Sequence, residues 1–177
     1  MILPFLQLIL FSNNYENGIV MDKKIDSTFI QSDKKIIIIF FGYFGCDDVC
    51  APILYKLNNL YESKKLNDIR KDIDVLFVNL TPEVENSEPN LFAKYFNKNF
   101  KGIYLSKKEV LQIDRGFGVY FSKDLSDETE LNHTDHIYLI QNKKNTKILK
   151  KIYSSHPLRM DAIINDIKNI YLENKED

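Results

Sequence analysis

Cys46 and Cys50 are the only two cysteines in 177 residues, and they stand four apart. A thiolate is a nucleophile, a soft metal ligand and half of a redox couple. A converging pair therefore exchanges disulfides or holds a soft ion. An isolated pair suits a redox or metal site better than a disulfide scaffold, which needs several bridges. Residues four apart on a helix share a face, so the two sulfurs converge if Cys50 opens a helix and Cys46 lies one turn before it or in the loop just ahead. The electropositive end of that helix favours thiolate. Asp47 and Asp48, between the cysteines, oppose it by charge.

The pair is positioned by the stretch Lys35 to Pro52, K-I-I-I-I-F-F-G-Y-F-G-C-D-D-V-C-A-P. Ile36 to Phe41 are six apolar residues, β-branched first and aromatic last, and predict a strand buried on both faces. Gly42 and Gly45 break it. The turn at these glycines is expected to leave the thiols exposed. Pro52 fits a first helical turn, and Ile53, Leu54, Leu57, Leu60 and Tyr61 recur at helical spacing to about Leu66. Ile73 to Leu80 predicts a second buried strand, ended by Thr81-Pro82. Ser87-Glu88-Pro89 opens another helix. Ser106 and Glu109 match a capping box for a helix ending near Gly116 or Gly118. Val119 to Phe121 is strand-like, and Lys123 to Asn132 reads as an acidic surface loop. His136 to Gln141 and Lys147 to Tyr153 form a hairpin about Asn142 to Thr146. A last helix starts at Pro157. One or two short edge strands are expected between Gly18 and Lys35, and a short extended piece between Gly102 and Leu105. The order implies an α/β sandwich with a central mixed sheet. The right-handed crossover rule makes the first two strong strands parallel and puts the thiols at the carboxyl end of the first.

The totals bound the function. Apolar content of 44% and charged content of 28% belong to an ordinary globular chain, long enough for one domain with a sizeable core. A net charge of −1, from 24 basic and 25 acidic residues, argues against nucleic acid as a partner. Residues 1–14 open with the apolar run M-I-L-P-F-L-Q-L-I-L-F, too short to span a bilayer as a helix and without a positive flank. We read them as the remnant of a signal or anchor, with a packed strand as the alternative, ahead of a single domain over 15–177.

At this point the chain resembles a known family. F-G-Y-F-G-C-D-D-V-C resembles the signature of the Sco/SenC proteins, the copper chaperones of cytochrome c oxidase assembly. In order along the chain, V-L-F-V-N-L-T-P-E, L-S-K-K-E-V-L-Q-I-D-R-G-F-G-V-Y-F and D-H-I-Y-L-I resemble further family elements, so that the likeness covers roughly Lys35 to Ile170. It implies a thioredoxin-like three-layer sandwich that binds one copper ion, Cu(I) or Cu(II), through Cys46, Cys50 and His136. Delivery would be to the dinuclear copper site of cytochrome c oxidase subunit II. Other copper chaperones or a thioredoxin-like reductant are further partners of that reading. The location it implies is the periplasmic side of the inner membrane or the mitochondrial intermembrane space, with a membrane tether. The chain departs from the family pattern at Ala51, where Pro is usual, at Asp47, where Pro is common, and at Thr81, where Asp is usual.

Two thiolates and an imidazole suit copper in either state, and an open fourth position suits a site that must release its ion. Asp135 is read as orienting His136, with a solvated loop carboxylate as the alternative. His133 is read as a polar loop residue, and His156 as a surface or capping residue. Tyr43 and Phe44 are read as core or site wall. The alternative function is a thiol–disulfide oxidoreductase using Cys46 and Cys50 as its redox pair on an oxidase subunit or another exported protein. The C-x-x-x-C spacing and the absence of a proline before Ile137 weigh against a general disulfide reductase. A thiol peroxidase would want an arginine beside its thiol, and Arg70, Arg115 and Arg159 have no such context.

Overall fold

The computed structural model describes residues 18–123, 131–143 and 146–176. The apolar segment 1–14 lies outside them, as do most of the acidic loop and the centre of the hairpin turn.

Six strands form one mixed sheet, in the spatial order β1 (Ile19–Ile25), β8 (Thr146–Tyr153), β7 (Ile137–Lys143), β2 (Ile36–Gly42), β3 (Ile73–Asn79) and β4 (Lys101–Ile103). At its centre is β2 (Ile36–Gly42), buried along its whole length, as its unbroken apolar run requires. It pairs in parallel with β3 (Ile73–Asn79), from Ile36↔Ile73 to Gly42↔Asn79. On its other side it pairs antiparallel with β7 (Ile137–Lys143). β4 (Lys101–Ile103) extends the parallel half. β8 (Thr146–Tyr153) returns antiparallel to β7, and β1 (Ile19–Ile25) lies outermost against β8 with a bulge between Val20 and Lys23. A separate ribbon joins β5 (Phe121–Lys123) to β6 (Leu131–His133).

The period-two alternation of β2 divides the core. Ile36, Ile38 and Phe40 face α1 (Cys50–Tyr61), α2 (Glu88–Phe96) and α4 (Met160–Glu176), which contribute Leu54, Leu57, Ala93, Ile163 and Ile167. Ile37, Ile39 and Phe41 face α3 (Lys107–Phe117), through Val110, Ile113 and Phe117. The layers are therefore helix, sheet, helix. A fully buried Leu or Ile contributes roughly 1.5–3 kcal/mol, and both faces carry many.

The capping box forms: Ser106 Oγ donates to Glu109 Oε2 at 2.6 Å, and the backbone N–H of Ser106 donates to the same carboxylate at 2.8 Å. Two local readings change. The helix after the cysteines ends at Tyr61, and Lys64–Leu66 forms a separate short 3-10 turn. Residues 131–133, read as loop, form β6, because they pair antiparallel with β5, a contact that polarity alone does not reveal.

Candidate metal centre

β2 ends at Gly42, whose carbonyl accepts the backbone N–H of Leu80 at 2.8 Å and so ties the strand end to β3. A side chain at position 42 has no room: its Cβ would lie 2.7 Å from Cys50 Sγ and 2.9 Å from the Phe77 ring. Gly45, at φ +85°, turns the chain. Cys46 lies in the turn and Cys50 opens α1, as the spacing predicts. The backbone N–H of Cys50 points at Cys46 Sγ at 3.3 Å, which brings the electropositive helix end onto that sulfur. Both thiols are buried, Cys46 at 4% exposure and Cys50 at 0%. The exposure expected of a glycine-bounded turn is not found, because an aromatic side chain and an imidazole from a distant element pack over it.

That imidazole is His133, at the end of β6. Its Nε2 is 3.7 Å from Cys50 Sγ. The ligand atoms of Cys46, Cys50 and His133 all lie within 4.8 Å of one another, the only such cluster among the described residues. Nδ1 lies 3.1 Å from the Thr134 carbonyl, which makes it the protonated nitrogen and leaves the Nε2 lone pair for the thiols. Phe40 and Tyr43 wall the ring at centroid distances of 6.3 and 5.9 Å. Tyr43, at 6% exposure, is thus site wall, whereas Phe44 is exposed. The ribbon is held in place by Thr134, whose N–H donates to the Tyr120 carbonyl at 2.9 Å while its Oγ1 accepts the Tyr120 N–H at 2.9 Å.

His136 is not in this cluster, which corrects the ligand set that the resemblance implied. The reason is parity. Ile137 and Leu139 of β7 belong to the core face of the cysteines, and Tyr138 and Ile140 to the opposite face. His136 shares the parity of Tyr138, and its ring lies 6.5 Å from that ring. Asp135 does not orient His136 either. Its carboxylate accepts the buried Ser155 hydroxyl and lies 3.0 Å from Nδ1 of the exposed His156. The alternation of H-I-Y-L-I was the signal that separates His136 from the thiols. His133 sits beyond a three-residue break, and only the β5–β6 pairing shows where it goes.

The Cys46 thiol is held far below its ordinary range, at about 3. The largest cause is the hydrogen bond with the Cys50 side chain. His133 and the backbone amides of Cys50 and Val49 add to it, against the upward pull of burial. The helix end and its partners thus outweigh the charges of Asp47 and Asp48. Arg70 is engaged elsewhere, donating to the Tyr61 and Ser63 carbonyls and pairing with Glu62, so it serves no thiol chemistry.

A family model described as SCO1/SenC matches residues 25–171. The chain belongs to the SCO1/SenC family. It is 31% identical over 108 residues to the mitochondrial SCO1 homolog of Homo sapiens, covering 59% of this chain and 36% of that protein. It is 28% identical over 157 residues to the mitochondrial SCO1 homolog of Mus musculus, covering 80% of this chain and 53% of that protein. The chain thus spans between a third and about half the length of these relatives. The solution structure of apo Sco1 from Thermus Thermophilus superposes with a TM-score of 0.64 at 22% identity, over 87% of this chain and 96% of that one. The crystal structure of Arabidopsis thaliana ScoI with copper bound gives 0.65 at 22% identity, over 78% and 85%. These likenesses establish the thioredoxin-like α/β sandwich with its mixed sheet as the fold.

In this SCO1/SenC chain the position of the usual Asp is filled by Thr81, which has a visible task. Thr81 Oγ1 donates to Asn79 Oδ1 at 3.0 Å, Asn79 Nδ2 donates to the Thr81 carbonyl at 2.6 Å, and the Phe44 N–H donates to Asn79 Oδ1 at 2.8 Å. Asn79, buried at the end of β3, thereby braces the cysteine loop. Sequence reasoning missed it. A polar residue closing an otherwise apolar strand was the available signal. Among the described residues no helix is long and apolar enough to cross a membrane.

Proposed function

We propose that the chain is a copper metallochaperone, binding one copper ion through Cys46, Cys50 and His133 and passing it to the dinuclear site of cytochrome c oxidase subunit II. The convergence of two thiols and an Nε2 lone pair in a buried pocket carries the reading. Soft sulfur donors suit Cu(I), the imidazole accommodates Cu(II), and a three-donor site leaves a position through which a receiving ligand can enter. A thiolate at Cys46 binds without first losing a proton. Family membership, and the copper named for the Arabidopsis thaliana structure, support the choice of ion. Residence on the periplasmic side of the inner membrane or in the intermembrane space belongs to the same proposal, supported by the mitochondrial names of the mammalian relatives. Other copper chaperones, as donors, and a thioredoxin-like reductant, to keep the pair reduced, complete the set of partners.

The second reading, thiol–disulfide exchange, is favoured by the depressed Cys46 thiol beside a second sulfur. A Cu(I) competition titration on the reduced protein separates the two. Wild type and His136→Ala are expected to bind one ion tightly, and His133→Ala to bind at least about tenfold more weakly. Weak binding by the wild type, with a readily cycled Cys46–Cys50 disulfide, would establish the oxidoreductase instead. Equal affinity in His133→Ala would remove the histidine from the site.

A further inference from the structure

Beside the metal centre lies an apolar strip. The Phe44 ring, two residues from Cys46, meets Phe92 at 5.8 Å; Phe92 meets Phe96 at 5.2 Å; Phe96 meets Tyr55 at 4.9 Å and Tyr95 at 5.3 Å. The strip therefore runs without a break from the cysteine loop across α1 and α2. Its outer residues are open to solvent, Phe44 at 37% exposure, Tyr55 at 50% and Tyr95 at 77%, with Leu91 at 64% on the same helix, while Phe96, at 8%, is buried beneath them. Four large exposed apolar side chains gathered over one buried aromatic base, beside a metal centre, mark an interaction site rather than ordinary surface.

The charge around the strip selects the occupant. The two segments that leave the adjacent carboxyl ends of β2 and β3, residues 43–55 and 80–93, hold five carboxylates, Asp47, Asp48, Glu83, Glu85 and Glu88, and no lysine or arginine. All but Glu88 are exposed. The first basic residues, Lys56 and Lys94, come only at the far end of the strip. A second copy of this chain meeting the same face would oppose acid to acid, and an anionic membrane surface would be repelled. Both sulfurs are buried, so a receiving ligand must come into contact with the residues beside them, Phe44 foremost.

We infer that the exposed residues Phe44, Tyr55, Leu91 and Tyr95, backed by Phe92 and Phe96, and their acidic border dock the copper-receiving protein through an apolar contact edged by lysine or arginine. This inference rests on the chaperone reading. The acidic border sets the encounter rate and the aromatic strip the lifetime of the complex.

The test is copper transfer from the Cu(I)-loaded protein to the apo soluble copper domain of oxidase subunit II, followed as a second-order rate at several salt concentrations. A prior Cu(I) competition titration isolates the underlying reading: a wild type that holds no copper refutes the chaperone and takes the docking face with it. Given copper binding, the Glu83→Lys/Glu85→Lys variant is expected to transfer about tenfold more slowly at low salt and with a flattened salt dependence. Leu91→Ser/Tyr95→Ser is expected to slow transfer by about tenfold at every salt concentration. Both variants should keep wild-type Cu(I) affinity, because neither touches a ligand. Wild-type rates in both, no transfer to this domain by a copper-loaded wild type, or a strip-dependent dimer in sedimentation would each overturn the inference.

Discussion

Gly42 and Cys50 occupy one small volume, and the site depends on that economy of space. Gly42→Ala would push a methyl against Cys50 Sγ and the Phe77 ring. The expected cost is about 1–3 kcal/mol of stability, as for other overpacked cores, together with weakened copper binding; denaturant melts and the Cu(I) titration read the two effects. The Cys46 thiol makes a second prediction. Its folded value, about 3, lies below the ordinary thiol value. The stability this lends is complete above the unfolded value of about 8.5 and drains away as pH falls toward the folded one. Thiolate ultraviolet absorbance should therefore persist from about pH 8 to about pH 5, and the transition should move upward in His133→Ala, which removes one of the lowering hydrogen bonds. Absorbance lost near the ordinary thiol range would contradict the geometry. At this scale the sequence disclosed the cysteines and their helix position, since four-residue spacing at a strand–glycine–helix junction is local. The histidine was misassigned because His133 and His136 are equally plausible in one dimension, and the difference between them lies in strand parity and in the pairing of β6 with β5.

The ribbon of β5 and β6 is the element that delivers the third donor, and it is small. Three paired residues and the Thr134–Tyr120 hydrogen bonds hold His133 over the thiols. Thr134→Val keeps the shape and removes the hydroxyl. It is expected to weaken copper binding by about tenfold while lowering the melting temperature little, since the ribbon adds little core. Retained affinity would show that His133 needs no such anchor. The large elements were legible because their signals are strong and local: β2 and β3 as apolar runs, α1 by its helical period, α3 by its capping box. β6 was not, because three residues carry too little periodicity to distinguish a strand from a loop.

Across the whole molecule, the centre joins parts far apart in the chain: Cys46 and Cys50 from the first βα junction, His133 from a ribbon just before β7. An ion held by all three binds the folded state more tightly than an unfolded chain that offers only the two nearby thiols, so copper at about 100 times its dissociation constant should raise stability by up to about 2.7 kcal/mol. Thermal melts of the reduced protein with and without Cu(I) measure this, and most of the increment should vanish in His133→Ala. The layer architecture itself could be read from element order and the crossover rule, because a buried parallel pair requires helices on both faces.

The outermost strand has a consequence for the fate of the chain in a crowded compartment. β1 presents Ile19, Val20 and Met21 to solvent along a sheet edge, the kind of surface on which fibrils grow by adding strands. Asp22, at φ +44°, sits inside the bulge between Val20 and Lys23, and its carboxylate is held by Lys150 at 2.6 Å. The break in register keeps an incoming strand from pairing along the full edge, and the buttressed acid sets a charge where it would have to dock. The same irregularity that interrupts the ladder therefore acts as a guard against self-templated aggregation.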